Sequence, residues 1–365
     1  MSVNKSRLDW VDASKGLSII LVVMMHSAYG VGEDLNDTGI LHYIIGWATP
    51  FRMPEFFLIS GLFLGQVIAR PWRLYGDRRI VHYLYFYALW VVLQVAFKVG
   101  LGTGDVGSVF GQIAWAVIEP YGVLWFIYML GVYSLATKLL YTLRVPHWAA
   151  MVVGAALMMA QAGGSISTGF GLIDHFAMYF VYFYAGYAFA PIVFRIVESA
   201  QREWLHAAFA LACLAVVQWF LVFEGGAVMH PRGIDMGYAS FPPLHLLLGF
   251  VGSLAVCIVG GLVVKLPWMN WLRWLGEHSI VVYLSFSIPM AASRTIILKT
   301  GVLTDTSAVS VIVMAIALVS PLVLYWLIGK TGWGRFLFER PAWAHIPGTP
   351  GSRGYVKPAV AVPAE

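Results

Sequence analysis

Apolar stretches long enough to cross a lipid bilayer recur from one end of this chain to the other. That recurrence constrains the fold more than any motif does, because a helix needs only about 20 apolar residues to span the hydrocarbon core. Candidate spans fall at about 17–32, 40–68, 80–98, 121–142, 147–162, 174–194, 204–224, 241–264, 275–291 and 306–328. They are continuous runs without two-residue alternation, which excludes a transmembrane barrel. The 365 residues are 60% apolar and 11% charged, against about 45–50% and about 25% in soluble domains. So few charges cannot cover a water-soluble surface. The expected fold is all-α: a polytopic integral membrane helical bundle of about ten transmembrane helices.

Ten spans put both termini on one side, and the basic residues identify the side. Eighteen of the 23 Lys and Arg fall in one set of loops and tails, and four (Lys98, Arg232, Arg294, Lys299) in the other. Positive charge is retained in the cytoplasm, so both termini are expected there, with 224–240 as the principal outer loop. The net charge of +5 is spread between apolar runs rather than gathered in a basic tract, so no nucleic-acid partner is indicated. Cys213 and Cys257 are the only cysteines and lie inside apolar runs, which excludes a disulfide scaffold. Asp9 and Asp12 interrupt the basic start, so the first helix reads as retained rather than as a cleaved signal. The segment 109–119 reads as re-entrant or interfacial. The Pro-, Gly- and Ala-rich stretch 341–365 is expected to be a mobile cytoplasmic tail following a membrane domain over 1–340.

Ionisable groups inside a bilayer cost roughly 2.5–3.5 kcal/mol each at a helix centre, so they are the informative residues. In the run from Lys15, eleven residues at 1.5 Å rise place His26 roughly 16 Å further along, near mid-membrane. A neutral imidazole there can serve as a general base, or can simply hydrogen-bond a neighbouring helix. Arg52 and Glu55 are three apart, which on an undistorted helix makes an ion pair; Pro54 and Gly61 alternatively open the backbone toward a ligand. The loop arginines Arg70, Arg73, Arg78 and Arg79 fit either orientation of the chain or phosphate binding. Glu119, Trp125, Tyr128, His175 and His245 are weaker candidates. No Cys/His spacing suits a metal and no phosphate-binding glycine loop is present.

In their order and spacing these pieces resemble the integral-membrane acyltransferase 3 family, which O-acylates sugars and other acceptors in the bacterial envelope. Lys15 with His26 is similar to the family's basic-residue, ten-spacer, histidine signature. Phe51-Arg-Met-Pro-Glu-Phe-Phe-Leu-Ile-Ser-Gly-Leu resembles its second-helix pattern, with Glu55 at a position usually apolar. Gly122-Val-Leu-Trp-Phe-Ile-Tyr, Tyr182-Phe-Tyr-Ala-Gly-Tyr and Leu275-Gly-Glu-His-Ser-Ile-Val-Val-Tyr-Leu resemble later family segments. Two departures stand out: Phe286 occupies a position where the family often has His, and Arg79 is followed by His82 rather than a second arginine.

The resemblance implies a multi-pass enzyme of the bacterial inner membrane. Acyl-CoA, with acetyl-CoA foremost, would be the cytoplasmic co-substrate, and an envelope glycan or lipid-linked sugar would be the acceptor. No tightly bound cofactor is implied. His26 would act as general base, with Arg52 or Ser60 stabilising the oxyanion and Glu55 beside them. Lys15, Arg70, Arg73, Arg78 and Arg79, with Trp125 and Tyr128, would hold the donor, and Asp12 would orient Lys15. The competing class is a transporter or flippase in which His26, Arg52 and Glu55 line a path.

Overall fold

A computed structural model describes residues 6–100 and 108–355. Helix α1 (Ser6–Leu35) has 30 residues, about 45 Å of length, and so projects beyond a hydrocarbon core of about 30 Å. It is followed by α2 (Ile40–Ala48), α3 (Arg52–Gly61), α4 (Trp72–Gly76), a π-helical turn (Asp77–Val81), α5 (His82–Gly100) and α6 (Val109–Trp115). Then come α7 (Trp125–Thr142), α8 (His147–Ala162), α9 (Gly171–Ala188), α10 (Ala190–Arg202) and α11 (Trp204–Phe223). A hairpin of β1 (Val228–His230) and β2 (Gly233–Asp235) precedes α12 (Pro242–Val263), α13 (Asn270–Glu277), α14 (Ser279–Ser285), α15 (Ser287–Thr300) and α16 (Thr306–Thr331).

The chain is a helical multi-pass membrane protein, and the expected count of ten spans is not confirmed. Among the described residues, six segments are long and apolar enough to cross: Asp9–Leu35, Trp72–Val99, Gly122–Thr142, Trp204–Phe223, Pro242–Val263 and Thr306–Thr331. Two bent pairs raise this to eight if each is one span. The pair α9 and α10 turns by 75°, with Pro191 in the first turn of α10, and α14 and α15 turn by 54°. Local chemistry accounts for the two remaining expected spans. The run 147–162 is a helix of only 16 residues. The run 40–68 breaks after Ala48, where Pro50 has no N–H to continue a helical ladder. Pro54 lies in the first turn of α3, where a missing N–H is tolerated. The segment 109–119 contains the seven-residue α6, none of whose side chains is buried.

Helix α3, with ten residues, is held in place by α9. A methyl group at Gly61 would lie 3.0 Å from the Tyr187 nitrogen, and one at Gly186 would lie 2.9 Å from the Leu58 carbonyl carbon. The two backbones therefore touch. In lipid, where apolar burial gives no drive between helices, such close crossings supply the packing energy. Helix α1 meets α13 in the same way: a methyl at Gly276 would lie 2.9 Å from the Gly16 nitrogen.

The ion pairs sort to the two ends of the bundle. At one end Asp9 pairs with Arg273 at 3.3 Å, Lys15 with Asp12 at 3.0 Å and Arg340 with Asp77 at 2.6 Å. At the other, Asp34 pairs with Arg294 at 3.0 Å and Glu33 with Arg232. There the Thr306 hydroxyl donates to Asp37 at 2.7 Å and holds that carboxyl below the usual aspartate range. The hairpin of the 224–240 loop also lies at this second end, with the Pro231 carbonyl 3.1 Å from the His42 ring. Lys138, near the end of α7, donates to the carbonyls of Ile68 at 2.5 Å and Arg70 at 2.9 Å, which places it at the first end. Reporter fusions after residues 143 and 230 are therefore expected to score on opposite sides of the membrane. Matching signals would overturn this topology.

The expected mobile tail is in part a docked segment. Residues 345–348 contact the π-helical turn and α4: the Ile346 N–H donates to Asp77 at 2.7 Å, and Arg73 donates to the Pro347 carbonyl. Thr349 is fully buried. The physical reason is Asp77, a buried carboxylate that requires several donors, and the tail supplies them. Residues 356–365 lie outside the described residues.

Candidate active site

His26 lies on α1, where its ring packs on Phe286 with centroids 5.4 Å apart. On its free side it lines a cavity of about 100 Å³ together with Arg52, Trp125, Phe126, Tyr179 and Tyr283. Among the described residues no hydrogen-bond partner holds the imidazole, so the purely structural role considered above finds no support in a neighbouring helix.

Arg52 is the first residue of α3, and its guanidinium enters the same cavity. Its Nε and Nη1 atoms are buried and lack hydrogen-bond partners, as do both carboxylate oxygens of Glu55. The ion pair expected from their spacing is therefore not formed. Glu55 is fully buried and faces the seam between α1 and α12, near Ser18 and Cys257. It is absent from the cavity lining. Ser60 is also absent from it: its hydroxyl donates to the Phe56 carbonyl at 2.7 Å, one turn back along α3.

A second, larger cleft of about 260 Å³ opens at the end of the bundle that carries Lys15. Lys15, Ser60, Arg79, Tyr83 and Glu277 supply its polar groups. Phe56, Phe126 and Tyr283 line both the cleft and the His26 cavity, so three aromatic rings form the partition between them. Tyr283 is fixed in that partition by donating to the Val123 carbonyl at 2.6 Å and accepting from the Ile127 N–H at 3.3 Å.

The four loop arginines are separated by the structure. Arg79 enters the cleft, 3.4 Å from the Tyr83 hydroxyl. Arg78 is exposed and outside it. Arg73 is engaged by Pro347, and Arg70, also outside the cleft lining, offers its carbonyl to Lys138. Lys15 is oriented by Asp12, as expected. Trp125 lines the His26 cavity rather than the cleft, whereas Tyr128 packs on Tyr87 and donates to the Val117 carbonyl at 2.9 Å. Glu119 accepts two bonds from the Gly171 N–H, at 3.0 and 2.9 Å, and so caps the start of α9. The sequence reading assigned no role to Phe56, Phe126, Tyr179, Tyr283 or Glu277. Phe56, Phe126, Glu277 and Tyr283 lie within the motif segments quoted above, whereas Tyr179 lies outside them.

The sequence matches the profile of the acyltransferase domain, acyltransferase 3, over residues 8–326. The chain belongs to that family of membrane acyltransferases. The match takes in His26, Arg52 and both cavities, and ends within α16. It is also similar to the inner membrane protein YcfT of Escherichia coli (strain K12), 28% identical over 241 residues. That alignment covers 59% of this chain and 66% of the relative, so the chain spans just under two thirds of the relative's length. No solved structure matches it.

Proposed function

We propose that the protein moves an acyl group, acetyl foremost, from cytoplasmic acyl-CoA to a hydroxyl of an envelope carbohydrate or lipid-linked sugar, acting in the bacterial inner membrane. The observation that carries this reading is the pair of cavities in series. One is basic and opens at the end of the bundle that holds most of the positive charge. The other contains an imidazole and a guanidinium with two unpartnered nitrogens, and only three rings separate them.

In this reading the CoA phosphates meet Arg79 and Lys15, and the uncharged pantetheine arm passes the aromatic partition. His26 takes the proton of the acceptor hydroxyl as that oxygen bonds to the thioester carbon. The carbonyl oxygen becomes an oxyanion facing the N–H groups of Arg52. The C–S bond then breaks, and the thiolate takes a proton from the imidazolium, leaving an ester and free CoA. Acyl-CoA is a co-substrate, and no resident cofactor is needed. Purified protein in lipid nanodiscs is expected to release thiol from acetyl-CoA when an envelope hydroxyl acceptor is added. Failure to bind acetyl-CoA at all would sink the reading.

The arginines give a sharper expectation. Lys15 is already paired with Asp12, and Glu277 lies 3.9 Å from Arg273. Among the described residues Arg79 faces no acid within pairing distance, so it is the cation most available to a phosphate. Loss of a charge-assisted bond corresponds to about tenfold in affinity. Arg79→Ala is expected to weaken acetyl-CoA binding by about that factor, and Arg78→Ala far less. Equal effects from the two substitutions would show that only overall loop charge matters.

A further inference from the structure

We propose that Arg340, from the segment after the last helix, is a positioning residue for the donor cleft. Through Asp77 it holds the π-helical turn in the geometry that aims Arg79 inward. This rests on the reading of that cleft as the acyl-CoA site.

Asp77 opens the turn and is 99% buried with its partner Arg340 (side-chain exposures 1% and 4%). One Arg340 nitrogen, Nη1, donates to the Asp77 carbonyl at 2.8 Å, and Nη2 donates to Oδ2 at 2.6 Å. The Ile346 N–H reaches Oδ1 at 2.7 Å, and the His345 ring lies 3.1 Å from Oδ2. The far side of the turn is tied to the same stretch of chain. On α5, Tyr85 donates to the Phe336 carbonyl at 2.9 Å and Trp90 to the Leu337 carbonyl at 3.1 Å. Residues 336–346 thus grip the turn at its first residue and the helix that follows it.

The grip matters because a π turn holds one residue more than an α turn and is rarely stable alone. Relaxation to α-helix would shift the register by one residue, about 100° of rotation. Arg79 would then leave the cleft lining, where Arg78 is already excluded. The tail therefore acts on the donor through the turn, without touching the cleft.

The test is a coupling measurement on the full-length protein in nanodiscs, with acetyl-CoA affinity as the readout. Removing Arg340 alone leaves a buried lone carboxylate, so the pair is neutralised together as Asp77→Asn with Arg340→Gln. This double variant is expected to weaken acetyl-CoA binding about tenfold when Arg79 is present. In the Arg79→Ala background it should change affinity less than about twofold, because the contact it positions is already gone. A merely structural role would weaken binding equally in both backgrounds, and that result, or unchanged affinity, overturns the proposal. Arg340→Lys keeps the charge but not the two-pronged bond, and should show the same coupling at smaller size, so the answer does not depend on the neutral pair folding. If Arg79→Ala by itself leaves affinity unchanged, the donor-cleft reading fails, and this proposal with it.

Discussion

Replacing His26 with either alanine or glutamine is expected to abolish transfer while leaving a folded protein that binds acetyl-CoA. Glutamine is the informative substitution. Its amide fills much of the imidazole's place and can hydrogen-bond, but it cannot accept a proton and return it. The ring packs on Phe286 and otherwise lines the small cavity, and no side-chain hydrogen bond holds it, so neither variant loses one. Loss of a general base lowers rate by roughly 10²–10⁴-fold. Thiol release measured beside donor affinity and melting temperature gives the answer. A folded glutamine variant with near-normal rate would remove His26 from the chemistry.

Arg52→Gln is expected to lower the rate by roughly 10²–10³-fold, the range seen when a single oxyanion donor is removed. Donor affinity should hold, since Arg52 lies beyond the aromatic partition from the cleft. Stability should hold as well. If Arg52 and Glu55 were a buried ion pair, deleting one partner would cost about 3–5 kcal/mol and neutralising both would restore much of it. The structure leaves their polar atoms without mutual bonds, so Glu55→Gln is expected to rescue nothing in the Arg52→Gln background. Recovery of melting temperature in the double variant would re-establish the pair.

Much of this was legible in the sequence because lipid imposes a simple rule. A backbone without water must satisfy itself, so long apolar runs become helices wherever no proline intervenes. The same rule singles out His26 and Arg52, whose presence within apolar surroundings is costly unless used. Where reading failed, the missing information was three-dimensional. Spacing predicts a pair between Arg52 and Glu55 only if both lie inside a regular helix, whereas Arg52 opens α3 between two prolines. The four loop arginines are equivalent in the sequence, and only the turn's placement in the bundle shows that Arg79, and not Arg78, lines the cleft. Composition marks 341–365 as a mobile tail, and no local pattern shows that Ile346 within it reaches Asp77, 269 residues earlier. Tyr283 belongs to a recognisable motif, yet its partners are backbone atoms at Val123 and Ile127 that no pattern reveals.

The shortness of α3 has a consequence for how the protein is made. Ten residues, with Arg52 and Glu55 among them, are too few and too polar to settle in a bilayer unaided. Their place is created by the Gly61–Gly186 crossing with α9, a helix that begins only at Gly171. At about 5–20 residues per second, synthesis leaves an interval of roughly 5–20 s between the two. During that interval the Arg52 guanidinium has no finished wall behind it. The cavity that His26 and Arg52 line is thus a late product of biogenesis, and substitutions at Gly61 or Gly186 are expected to lower the yield of assembled molecules.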